Sequence, residues 1–164
     1  MRIYTDASTR GRLSGIAFVV TDARDRELYK KGIVLNQRDN NTAELCAVLF
    51  ALDDIKYIGV KHVTIFTDSY YVINALRNGV KRPHEKVIVD KIRQYMSVIN
   101  SDLMWVKGHY RDGTVLSYYN KRADKLSKVV RRQYEKQLQK ERRNRKKSIG
   151  KQKLYNELRN KKSR

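Results

Sequence analysis

His62-Val-Thr-Ile-Phe-Thr67, followed at once by Asp68-Ser69, carries the topology of this chain. Six residues rich in β-branched and aromatic side chains read as a short buried strand. Asp68-Ser69 then supplies oxygens that cap a helix running to about Asn78. Upstream, Asn41-Thr-Ala-Glu-Leu-Cys-Ala-Val-Leu-Phe-Ala-Leu-Asp-Asp-Ile55 repeats Leu45, Val48, Leu49, Leu52 and Ile55 at three- and four-residue spacing. That period predicts an amphipathic helix, with Asn41 as its N-cap. Before it, residues 2–6, 15–21 and 27–35 read as three strands, antiparallel neighbours joined by turn-forming clusters. Strand, helix, strand, helix in succession implies parallel pairing through right-handed crossovers.

Downstream, Gly79 and Pro83 punctuate the chain before a helical pattern from about 84 to 99, with Val87, Ile88, Ile92, Tyr95, Met96 and Ile99 expected on its apolar side. Residues 102–107 form a further strand, a loop follows from Gly108 to Tyr119, and a last helix begins near Asn120 and enters a basic tail. The expected fold is α/β, with a central mixed sheet of five strands flanked by helices. The domain is expected over residues 1–130 and the partly helical extension over 131–164.

The formal charge is +20, from 37 Lys and Arg against 17 Asp and Glu, a sign and size that seek phosphate. Residues 125–164 hold 17 of those cations and 3 Glu, which accounts for +14. One cysteine, Cys46, excludes an internal disulfide, and the absence of an apolar leader points to a reducing, cytoplasmic location. No apolar run reaches the roughly 18 residues of a membrane span.

Four carboxylates stand at element ends. Asp6 follows the first strand and Asp68 the fourth; Glu44 and Asp124 lie in first helical turns. Sites form at the carboxyl ends of parallel strands, so Asp6 and Asp68 are expected to converge. Carboxylates that converge without basic partners repel unless a divalent cation neutralises them. Each also has a plain structural use: Glu44 in a capping box with Asn41, Asp68 as an N-cap, Asp124 against a helix dipole.

Ile3-Tyr-Thr-Asp-Ala-Ser8, Asn40-Asn-Thr-Ala-Glu-Leu45, Thr67-Asp-Ser-Tyr-Tyr-Val72, Trp105-Val-Lys-Gly-His109 and Asn120-Lys-Arg-Ala-Asp124 resemble, in order, the motifs of type 1 ribonuclease H. The resemblance covers roughly residues 1–130. It implies a ribonuclease H-like fold and an endonuclease that cuts the RNA strand of RNA:DNA hybrids with two Mg²⁺ ions, Mn²⁺ being a substitute. Asp6 would bridge both ions, Glu44 and Asp68 would complete one, and Asp124 would serve the other. His109 would assist proton transfer or the release of product and metal. Asn40 and Asn41 match positions that read the 2′-hydroxyl, the group that separates RNA from DNA, while Thr42, Ser69 and Asn120 complete the substrate-contacting set.

The sequence departs from the family at Ala7, where many relatives carry glycine, and at Tyr70, where glutamine is common in bacterial enzymes. The loop after His109 is longer, and only Gly79-Val-Lys-Arg-Pro83 stands where some relatives insert a Trp- and Lys-rich helix. The basic C-terminal segment is the expected replacement, binding nucleic acid without sequence preference through counterion release. A monomer is expected. Two other readings stay open: a structure-specific nuclease on the same scaffold, and a protein whose basic tail attaches to structured RNA such as a ribosome.

Overall fold

The computed structural model describes the backbone of residues 1–108 and 113–162 and the side chains of 1–108 and 113–150. Five strands, β1 (Arg2–Arg10), β2 (Leu13–Thr21), β3 (Glu27–Leu35), β4 (Val63–Thr67) and β5 (Ser101–Trp105), form one sheet in the order β3-β2-β1-β4-β5. The first three are antiparallel, whereas β4 runs parallel to β1 and β5 parallel to β4. The helices are α1 (Asn40–Ile55), α2 (Tyr70–Asn78), α3 (Pro83–Ile99) and α4 (Val115–Lys162). Two compact units result, Met1–Arg131 and Arg132–Arg164.

Alternation along the strands sorts side chains to the two faces of the sheet. Ile3, Phe18, Val20, Val63 and Ile65 join Leu45, Val48, Leu52 and Ile55 of α1, Val72 of α2, and Val89, Ile92 and Ile99 of α3 in the main core. Tyr4, Val19 and Phe66 point the other way and pack with Val106 and with Tyr119 and Ala123 of α4. Tyr4 and Phe66 stack there with centroids 5.0 Å apart. Gly15 allows α4 to settle on this second face: a Cβ there would lie 2.0 Å from the carbonyl oxygen of Ser127.

Local details differ from the sequence reading. The cap of α1 is Asp39, whose carboxylate accepts from the backbone N–H of Asn41, so Asn41 lies inside the helix. Helix α3 turns Glu85, Val89, Ile92 and Ile99 inward, a spacing of four, three and seven, which leaves Val87 on the solvent side at 69% exposure. Helix α4 starts at Val115, five residues before the expected Asn120, with the Thr114 hydroxyl accepting from the N–H of Ser117.

The buried carboxylate of Glu85 ties three helices together. It accepts from Thr42 Oγ1 at 2.8 Å and from the Tyr71 hydroxyl at 2.5 Å, and pairs with Arg82 at 3.3 Å. Arg82 also reaches Asp39, the cap of α1. A buried carboxylate survives only with such partners, and here they fix the N-terminus of α1 against α2 and α3. The second unit is helical through Lys162. It carries fourteen Lys or Arg against three Glu. Among the described residues, no helix is long and apolar enough to cross a membrane.

Candidate metal centre

Parallel register builds the site. Thr5 of β1 pairs with Thr67 of β4, so the next residues lie side by side where β4 ends: Asp68 just past β4, and Asp6 still inside β1, which runs on to Arg10 beside β2 rather than ending before Asp6. Glu44 arrives from the second turn of α1, one turn later than the sequence suggests because the helix begins at Asn40, and is brought close because Ala43 and Ala47 pack on Ala7 and Ile16; small side chains let helix and sheet approach. Asp6, Glu44 and Asp68 each offer a carboxylate oxygen, and the three atoms lie within 4.8 Å of one another. Asp6 is 5% and Glu44 6% exposed.

Such proximity is unfavourable for three anions in a region poor in water. Burial, opposed by a hydrogen bond from Ser127 and reinforced by the charges of Asp68 and Asp124, pushes the Asp6 carboxyl up to about 8. Burial and then the charges of Asp6 and Asp68 raise Glu44 well above the usual carboxylate range, against hydrogen bonds from the Ala7 backbone and Asn40. Glu44 Oε2 is buried with no hydrogen-bond partner among the described residues. An orphaned carboxylate oxygen facing two further carboxylates is the donor set that a hard divalent cation takes, so the residues fit a metal.

Asp124 stands outside this group of three and pairs with Lys128 Nζ at 2.5 Å. It is near enough for its charge to act on Asp6. Asn120 is 2% exposed and donates from Nδ2 to Asp68 Oδ2 at 3.1 Å, which orients that carboxylate. Asn40 sits on the surface and donates weakly to Glu44 Oε1 at 3.4 Å. Asn41 is exposed beside it. Thr42 is buried with its hydroxyl committed to Glu85, and the Ser69 hydroxyl accepts from the Val72 N–H as the cap of α2. His109 lies outside the described residues.

Two contributors carried no assignment in the sequence reading. Ser127 is fully buried, with Oγ 2.5 Å from Asp6 Oδ2 and 2.9 Å from the Asp124 carbonyl. Its single proton serves one of these at a time. With Asp6 protonated, the carboxyl donates to Ser127 and Ser127 donates to Asp124, so both contacts are satisfied. The position three after Asp124 on one helical face was the available signal. Gly108 is the second: a Cβ there would lie 2.4 Å from Asp68 Oδ2, so only glycine leaves room for the carboxylate.

A family model described as RNase H matches residues 1–132. Among solved structures, LC11-RNase H1, isolated from compost by a metagenomic approach, is 27% identical with a TM-score of 0.68, the match covering 81% of this chain and 96% of that one. The same LC11 enzyme in complex with an RNA/DNA hybrid matches at 26% identity and a TM-score of 0.68, over 81% of this chain and 97% of that one. The N-terminal ribonuclease H domain of a Mycobacterium tuberculosis protein, solved as a fusion with maltose binding protein, shares the fold at 21% identity and a TM-score of 0.69, over 84% of this chain and 96% of that one. With Asp6, Glu44 and Asp68 of these motifs converging on a sheet of this order, the chain belongs to the ribonuclease H family.

Proposed function

We propose that this protein is an endonuclease that hydrolyses the RNA strand of RNA:DNA hybrids, with two Mg²⁺ ions held by Asp6, Glu44, Asp68 and Asp124. The observation that carries this reading is the cluster of Asp6, Glu44 and Asp68 within 4.8 Å, with the unpartnered oxygen of Glu44 in it. The hybrid bound to LC11-RNase H1 supports the substrate class. Divalent metal bound there supplies Lewis-acid charge for attack of water on a phosphodiester and for departure of the 3′ oxygen.

The protein's own residues prepare that site. Asp6, grouped with Glu44 and hydrogen-bonded by Ser127 of α4, would be the ligand shared by both ions. Glu44 and Asp68 would hold one ion with it, and Asp124, paired here with Lys128, would hold the other. Ser127 and Asn120 fix the carboxylates of Asp6 and Asp68, so the anionic oxygens are oriented before substrate arrives. Asn40 and Asn41 would sense the 2′-hydroxyl, a role supported by their exposure at the start of α1.

The second unit is the electrostatic anchor. Its cations bind phosphates without reading sequence, and that term weakens steeply with salt. The protein acts as a monomer in this scheme. The test is cleavage of end-labelled RNA:DNA hybrid, duplex DNA, duplex RNA and single-stranded RNA, each with Mg²⁺ and with EDTA. Metal-dependent cutting confined to the RNA of the hybrid is expected. Tight salt-sensitive binding with no cutting of any substrate overturns the reading in favour of an RNA-binding protein on a nuclease fold.

A further inference from the structure

Trp105 is the sole tryptophan of the chain and is 38% exposed at the end of the edge strand β5. Tyr70, the first residue of α2, is 62% exposed beside it. Their ring centroids are 4.6 Å apart with planes tilted by 38°. Trp105 pairs in register with Thr67, the residue before Asp68. Its indole N–H donates to the Asp68 carbonyl at 3.1 Å, which pins the edge of the ring to the backbone of a site residue.

Two large aromatic rings in contact, left open to water within two residues of the carboxylate cluster, lack the burial that ordinarily pays for them. They offer flat apolar faces on a protein of charge +20. The interior of a hybrid cannot use such faces, because each of its bases is already stacked on both sides. An unpaired base can, and every base has a π-face to offer.

We propose that Tyr70 and Trp105 form a stacking platform for an unpaired nucleobase, so that single-stranded nucleic acid continuing from the hybrid is held beside the cleavage site. The location of the hybrid rests on the proposed ribonuclease reading; the platform itself does not. Substrates in which a hybrid passes into single strand are then bound more tightly than blunt hybrids of the same length. The contribution is apolar, so it persists at salt concentrations that screen phosphate contacts.

Trp105 reports on its own occupancy. Titrating the full-length protein with oligothymidylate of about ten nucleotides in high salt and EDTA is expected to quench its fluorescence, while an abasic strand of equal length is not. Tyr70→Ala is expected to weaken oligothymidylate binding by about tenfold, from the loss of stacking on one base, and Tyr70→Phe to restore it. Equal responses to the normal and abasic strands, or unaltered affinity in Tyr70→Ala, overturn the platform. Cleavage of blunt and 3′-overhanging hybrids separates the two readings. No cutting of either defeats the nuclease assignment while leaving the fluorescence result standing, and equal cutting and binding of both defeats the platform alone.

Discussion

Replacing Asp6 by asparagine is expected to stabilise the metal-free protein at neutral and higher pH. Asp6 is buried, and burial together with the neighbouring carboxylates raises it to about 8, against the Ser127 hydrogen bond. Unfolded, it returns to 3.8. Between those values the folded protein keeps a proton that the unfolded chain has lost, so stability falls as pH rises from about 4 to about 8. One proton over the three units from pH 5 to 8, at about 1.4 kcal/mol per unit, is roughly 4 kcal/mol. That is a ceiling, because Glu44 and Asp68 share the same repulsion.

Asparagine keeps an oxygen for the Ser127 hydroxyl and does not titrate. The stability gap between the variant and the natural protein should therefore widen in favour of Asp6→Asn by a few kcal/mol as pH goes from 5 to 8. Urea melts in EDTA at three pH values measure it. Mg²⁺ should narrow the gap by stabilising only the natural protein, by about 2.7 kcal/mol at one hundred times its dissociation constant. Parallel stability curves from pH 5 to 8 refute the argument, since they mean that Asp6 is not under the pressure its surroundings imply.

Asp6→Asn and Asp68→Asn should each abolish hybrid cleavage while leaving binding through the second unit, read by gel shift. In Gly108→Ala the new methyl group collides with Asp68 Oδ2, so the Mg²⁺ concentration for half-maximal cleavage should rise at least tenfold; an unchanged metal requirement would show that Asp68 tolerates displacement. Deleting residues 132–164 should weaken hybrid binding and flatten the slope of log affinity against log salt, with single-turnover cleavage at saturating enzyme preserved. Glu85→Ala removes the acceptor shared by Thr42, Tyr71 and Arg82, and thermal melts should register a loss of about 3 kcal/mol.

Much of this architecture was written in local pattern. The 3.6-residue repeat of Leu45, Val48, Leu52 and Ile55 and the β-branched run before Thr67 depend only on neighbours in the chain, so α1 and β4 were legible. The ends of elements were less so. Asp39 and Asn41 are both good caps, and the choice of Asp39 accompanies an ion pair with Arg82, 43 residues away. Val87 fits an apolar stripe by spacing, yet the stripe that packs is set by Glu85 and its partners on two other helices.

By itself the sequence determined the order of the elements and the excess charge of the C-terminal unit, but not where its carboxylates stand: Asp6 lies inside β1, Glu44 past the first turn of α1 and Asp124 well inside α4, and only Asp68 stands at an element end. Tertiary structure decided the site: the register of Thr5 with Thr67 that sets Asp6 beside Asp68, the Ser127 hydroxyl reaching Asp6 across 121 residues, and the Asn120 amide on Asp68. It also decided that Thr42 faces Glu85 and that Trp105 meets Tyr70. Periodicity reports which face of an element is apolar, a property of consecutive residues. Which side chains meet depends on how far one strand or helix slides along another, and only the packed chain fixes that distance.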